Sequence, residues 1–277
     1  MDSYTVEEYR GIRFYHSVDE HPEPDVFSRH CHAHYEIIYV VRGAGKYVVE
    51  GEQYDLMANT LMTFRPGEFH YVNVHRDEPY ERYVFHFAEE ALPEAADLLQ
   101  KMSEKPFGEG NFYAIGEIPL AVPPLFERFL QLASIPREIA ERMAAPILYE
   151  LVLLLSMAGP SSHKSKREEP LGARVIRYVN AHIAEPLPLD AIASEFYVSK
   201  FYLCRAFKRH NGISILGYIN GKRVMMARQM IESGEVAAVV AERVGFADYS
   251  TFYRAYRKAY GHAPTEAKTR EGQVSVK

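Results

Sequence analysis

Residues 191–214 read AIASEFYVSKFYLCRAFKRHNGIS, and residues 239–264 read VVAERVGFADYSTFYRAYRKAYGHAP. The two stretches are copies of one another. Ala193 aligns with Ala241 at an offset of 48, while Leu203/Phe252, Arg205/Arg254, Phe207/Tyr256 and Gly212/Gly261 align at 49, so the second copy carries one extra residue in its turn. Each copy predicts a short helix with a small alanine, a tight turn and a longer cationic helix, the layout of a helix-turn-helix. Leu203 and Phe207 are i and i+4, as are Phe252 and Tyr256, which puts each pair on one helix face and assigns that face to the core.

The opposite faces are then left for a partner. They present Ser199, Lys200, Tyr202, Arg205, Lys208 and Arg209 in the first unit, and Asp248, Tyr249, Ser250, Arg254, Arg257 and Lys258 in the second, with Thr251 a further DNA-contact candidate. Arginine can bind guanine O6 and N7 bidentately, and lysines and hydroxyls can hold phosphates. One charged helix face is ordinarily just solvated; duplication of the whole unit in a basic segment points to double-stranded DNA instead. Between the copies, Ser214 is placed to cap a helix running to about Ser233, with Ile219, Val224, Ala227, Met230 and Ile231 on its inner side. A strut of that length spans about 28 Å, close to one turn of B-DNA, and would set the two reading helices into successive major grooves.

Working outward, the charge changes sign. Residues 171–277 carry 16 Lys+Arg against 9 Asp+Glu, whereas residues 1–170 carry 16 against 28, so a whole-chain net charge of -5 conceals a basic half of +7 and an acidic half of -12. The basic half attracts phosphate and the acidic half repels it. Residues 159–170, polar and bounded by prolines, read as the linker, with 1–158 as one domain and 171–277 as the other. No apolar run of 18 residues occurs and the N-terminus is charged, which implies a cytoplasmic protein with no membrane partner. Cys31 and Cys204 form no CxxC pair and suggest neither a disulfide framework nor a zinc knuckle.

These C-terminal residues resemble the AraC family of transcription regulators, over about 100 residues from Ala173 onward. The resemblance rests on the two quoted stretches, on the YINGKRVMMARQMI helix, and on the Gly-Phe turn and closing Gly-x-x-Pro of the second copy. It implies base reading at Phe201, Cys204 and Arg205 and at Tyr249, Ser250 and Arg254. It also implies that Asp248 stands at an acidic position that activators present to the RNA polymerase sigma subunit. A second acid nine residues earlier is absent, Val239 standing there, and Ala267-Lys268 replaces the usual Tyr-Arg after Pro264.

The acidic half opens with a different texture. Residues 36–87 hold β-branched and aromatic runs broken at Gly43, Gly45 and Gly51, and YERYVFHF alternates through Tyr83, Phe85 and Phe87, which predicts short strands in a sandwich or small barrel. From Leu92 to Met157 the pattern becomes helical. Ile147, Leu148, Leu151, Val152, Leu154 and Leu155 wrap too far round for one ordinary amphipathic face, so this helix is either buried in the core or pairs with a second subunit; a homodimer is the favoured expectation. The chain is thus expected to be α+β in two domains: a small β-barrel, cupin-like by the resemblance of the histidine motifs that follow, with helices after it, then an all-α domain with two helix-turn-helix units.

Histidines concentrate in the barrel segment. His30-x-His32-x3-Glu36 followed by Gly43 fits the cupin spacing, and Pro66-Gly67-Glu68-Phe69-His70 resembles the second cupin motif with its proline displaced by one. On an extended strand His30, His32 and Glu36 point to one side, and barrel closure would bring His70 opposite. Such a set can hold a divalent metal, can bind an organic effector, or can serve packing alone. The favoured expectation is a metal-free pocket, without cofactor, for a small-molecule effector such as a sugar. The chain then reads as a ligand-responsive transcription activator rather than an enzyme. Its rivals are a metal-dependent cupin enzyme carrying a DNA-binding appendage and an architectural DNA binder with an inert barrel.

Overall fold

A computed structural model of the chain describes residues 3–23, 30–161, 170–269 and 274–275. Most of the expected linker, 162–169, lies outside the described residues.

The N-terminal half is two antiparallel sheets packed face to face. One has the order β1(Ser3–Tyr9), β2(Ile12–Asp19), β9(Tyr80–Phe87), β4(Tyr35–Arg42), β7(Thr60–Phe64), β10(Phe112–Ala114). The other has β11(Val274–Ser275), β3(His30–Cys31), β8(His70–Val74), β5(Gly45–Val49), β6(Glu52–Leu56). The β1–β2 hairpin and β10 lie outside the strand region expected from sequence. Alternation along β4 and β9 sorts the residues. Ile38, Val40 and Val84 join Tyr47, Val49, Phe64 and Val72 between the sheets, while Tyr35, Ile37, Tyr39, Phe85 and Phe87 face the helices α1(Ala96–Ser103), α2(Pro123–Gln131) and α3(Arg137–Ala158).

Helix α3 corrects one expectation. Leu151 is 0% exposed and Leu154 is 4% exposed, and the whole run from Ile147 to Leu155 belongs to the apolar cluster between the first sheet and α1 and α2. The face is wide because α3 lies against a sheet on one side and helices on the other. This run is therefore core within one chain and is not available to a second subunit.

The C-terminal half is helical: α4(Leu171–Ala181), α5(Leu189–Glu195), α6(Lys200–Asn211), α7(Ile215–Glu232), α8(Ala237–Arg243) and α9(Tyr249–Tyr260). The duplication survives in its punctuation. Both long helices end on a left-handed glycine, Gly212 at φ 70 and Gly261 at φ 76, which no other residue adopts as cheaply. The turn of the first unit puts Tyr197 at φ 54, where the second has Gly245 at φ 95. The Val198 N–H bonds Ala193 O and the Phe246 N–H bonds Ala241 O, keeping the offset of 48, and the caps Ser199 and Asp248 follow at 49. Ala247 is the extra residue.

Candidate nucleic-acid interface and effector site

On α6 the core pair Leu203 and Phe207 is fully buried, and on α9 so is the pair Phe252 and Tyr256. The predicted free faces are outward: Ser199, Lys200, Phe201, Tyr202, Arg205 and Lys208 are exposed with Cys204 half-buried, and Asp248, Tyr249, Ser250 and Arg254 are exposed with Thr251 half-buried. Phe201 at 75% and Tyr202 at 51% are large rings held in solvent at the start of a helix, an arrangement that folding alone does not favour. Each helix is started by its own cap. Ser199 Oγ accepts from the Tyr202 N–H at 3.2 Å, and Asp248 Oδ1 accepts from the Thr251 N–H at 2.8 Å. Asp248 Oδ2 also accepts from Thr251 Oγ1 at 2.8 Å, so both of its carboxylate oxygens are engaged within the helix it starts. These bonds hold its carboxyl below the ordinary aspartate range. Lys200 is tied to Asp190 at 2.9 Å.

The strut between the units runs from Ser214, whose Oγ accepts from the Gly217 N–H at 3.0 Å, through the 18 residues of α7. Ile219, Val224 and Ala227 are buried as expected, and Met230 and Ile231 half-buried. Lys222, Arg223 and Arg228 are also buried, which the sequence reading of one inner side missed.

In the barrel, His30, His32, Glu36 and His70 come together, one ligand atom from each lying within 4.8 Å of all the others. Three strands deliver them: β4 supplies Glu36, β8 supplies His70, and the short β3, paired through His30 to His70, leads into His32. His86 of β9, in register with Glu36, completes the group; its Nε2 lies 3.0 Å from Glu36 Oε1. It was missed, although period-two alternation in YERYVFHF sets it opposite Phe85 and Phe87 and hence inside. His32 Nε2 and His70 Nε2 each lie 2.9 Å from Glu36 Oε2, and all three side chains are buried.

The ring orientations are fixed from behind. His32 Nδ1 lies 2.9 Å from His34 O, and His70 Nδ1 lies 2.9 Å from Glu68 O. A carbonyl only accepts, so both Nδ1 atoms carry hydrogen, and a neutral ring then turns a bare Nε2 toward a carboxylate. That opposition of lone pairs is repulsive unless a proton or a cation lies between them. Burial pushes the Glu36 carboxyl up, but the neighbouring imidazoles outweigh it and hold the group well below the usual carboxylate range. Backbone carbonyls behind two imidazoles whose Nε2 atoms converge on one carboxylate are also what a metal-binding set requires. The donor set thus fits a divalent ion. Four donor atoms within 4.8 Å of one another can close on one ion by small side-chain movements.

A family model described as AraC-like ligand binding domain matches residues 18–152, and one described as helix-turn-helix domain matches residues 192–270. Regulatory protein PocR of Salmonella typhimurium is 33% identical over 107 residues, covering 38% of this chain and 34% of that protein. HTH-type transcriptional activator RhaS of Salmonella arizonae is 24% identical over 259 residues, covering 90% of each chain. The uncharacterized HTH-type transcriptional regulator YfiF of Bacillus subtilis is 23% identical over 250 residues, covering 85% of this chain and 76% of that one. All three are regulators by name, and RhaS and YfiF are transcriptional ones. No helix among the described residues is long and apolar enough to cross a membrane.

Proposed function

The chain belongs to the AraC family of transcription regulators, and from this premise we propose that it is an effector-responsive, cytoplasmic activator that reads duplex DNA with two helix-turn-helix units. The observation that carries the reading is the duplicated outward face, in which Lys200, Phe201 and Arg205 on α6 are matched by Tyr249, Ser250 and Arg254 on α9. Activation is supported by the relatives named activators, such as RhaS. A sigma-subunit contact at Asp248 would have to use the outer side of a carboxylate already bonded to Thr251. A homodimer, with Leu151 and Leu154 in the core, would use the outer stripe of α3, where Ile139, Met143 and Met157 are exposed.

The effector is assigned to His30, His32, Glu36 and His70, joined by His86. A polyhydroxy compound satisfies buried imidazoles and a carboxylate by hydrogen bonding. A divalent transition-metal ion is the second reading, favoured by the convergence of the Nε2 atoms on Glu36. The test is elemental analysis of the purified full chain together with duplex binding measured against a panel of sugars and against Zn²⁺, Ni²⁺ and Mn²⁺. The metal reading predicts about one ion per chain, weakening below about pH 6 as the imidazoles protonate. The sugar reading predicts no stoichiometric metal and a response to an organic compound. In either case His32→Ala and Glu36→Ala abolish the response, and a response that survives both variants removes the assignment.

A further inference from the structure

One acidic side chain is buried at the meeting of the two halves. Glu50 sits in the β5–β6 turn and is 3% exposed. Its φ is 50, followed by Gly51 at φ 86, the left-handed pair that a two-residue hairpin turn needs. Asn or Gly would meet that geometry at lower cost, so the turn does not account for a glutamate there. The partners of the carboxylate do. Oε1 accepts from the Phe69 N–H at 2.8 Å and from Lys222 Nζ, and Oε2 accepts from Tyr218 Oη and, at 3.4 Å, from Asn180 Nδ2. Lys222 is 2% exposed and lies on α7, the strut between the two reading helices. Around this polar cluster, Cys31 and Phe69 of the barrel share an apolar cluster with Phe207, Ile219 and Met225, which keeps water away from the charges.

The same lysine reaches the histidine site through one residue. Lys222 Nζ donates to Gly67 O at 2.7 Å, and the Gly67 N–H donates to His32 O at 2.9 Å. Gly67 is held at φ +85, and a Cβ there would lie 2.4 Å from Met225 Cε of α7, so the loop before His70 is pressed directly onto the strut.

We propose that Glu50 and Lys222 form an interdomain latch, with Gly67 as the relay through which the state of the histidine site reaches α7. This rests on the reading of that site as the effector site. A buried ion pair broken on one side leaves an uncompensated charge, so the pair is a contact with two discrete conditions rather than a graded one. While closed it holds the acidic half, net -12, against the basic half, net +7, and so weakens the attraction of the reading helices for phosphate.

The test uses the full chain and needs no effector. Lys222→Met is expected to split one calorimetric unfolding transition into two, to raise amide exchange at 67–70 and 218–225 about tenfold, and to tighten duplex DNA binding several-fold at low salt. Glu50→Gln/Lys222→Met, which removes both charges, should return the single transition and keeps the test open if the single variant does not fold. A cycle then tests the relay: His32→Ala, or His32→Gln if the alanine variant unfolds, should raise exchange at 218–225 in the wild-type background and add nothing in Glu50→Gln/Lys222→Met. Additive effects, or duplex affinity unchanged in Lys222→Met, would overturn the latch. A failed sugar or metal titration counts against the effector reading alone, because the cycle contains no ligand.

Discussion

In the first helix-turn-helix unit, Leu203 and Phe207 share an apolar cluster with Cys31 and Phe69 of the barrel, whereas in the second, Phe252 and Tyr256 pack with α7 and α8 residues such as Val224 and Val240. His210 at the end of α6 also reaches Gly51 O of the barrel at 3.0 Å, while Arg257 and Lys258 in the corresponding turn of α9 are exposed. The same motif, used twice, is seated in two ways. The first unit shares its stability with the sensing half through its own core pair and is placed to receive a signal from it; the second rests its core pair on the strut and meets the barrel-side cluster at the end of α9, through Ala259 and Tyr260.

The largest expected effect breaks that comparison at its core. Phe207→Ala and Phe252→Ala each remove a fully buried ring and should each cost about 3–5 kcal/mol. They should differ in reach: in hydrogen exchange, Phe207→Ala loosens barrel residues 67–70 as well as α6, whereas Phe252→Ala loosens α8 and α9 and leaves the barrel protected. Equal disturbance of the barrel by both would show that the two units are seated alike.

The next effect concerns the surfaces that make the units alike. Arg205→Ala and Arg254→Ala should each cost about 1–3 kcal/mol on a specific site and relax base preference at separate positions. Binding-site selection from random duplexes, run with each variant, checks this.

The smallest effect separates the caps. Ser199→Ala should cost about 1 kcal/mol and be insensitive to pH, because a hydroxyl does not titrate here. Asp248 differs, since its carboxyl is held below the ordinary range by the Thr251 N–H and hydroxyl. A depressed folded-state value means that its stabilisation is complete above the unfolded value of about 3.9 and fades as pH falls through the folded one. NMR of the two helices should therefore show α9 fraying at its start in acid before α6 does. Simultaneous fraying would remove the role given to Asp248.

The repeat was legible because it is local: Ala193/Ala241, the core pairs and the closing glycines all fall within 24 residues of chain, and each has a fixed place in a helix or turn. The histidine cluster was legible for the same reason on β3 and β4, and His86 escaped notice because it stands alone between Phe85 and Phe87, without a second histidine on its strand. The β1 sequence SYTVEEY escaped because an edge hairpin tolerates charge on its outer face. Helix α3 misled because its breadth of apolar surface, which answers to a sheet and two helices at once, looks the same in sequence as a helix waiting for a second subunit. Glu50 and Lys222 could not be paired from sequence, since 172 positions separate them and each residue by itself reads as ordinary surface charge.

The proposed function requires the two units to read successive major grooves together. Footprinting the full chain on a duplex recovered by selection tests it most directly. Two protected major-groove segments about one helical turn apart are expected, with Arg254→Ala losing the segment read by α9 and Arg205→Ala the one read by α6. Protection of a single groove, with Arg254→Ala indistinguishable from the unaltered chain, would contradict it.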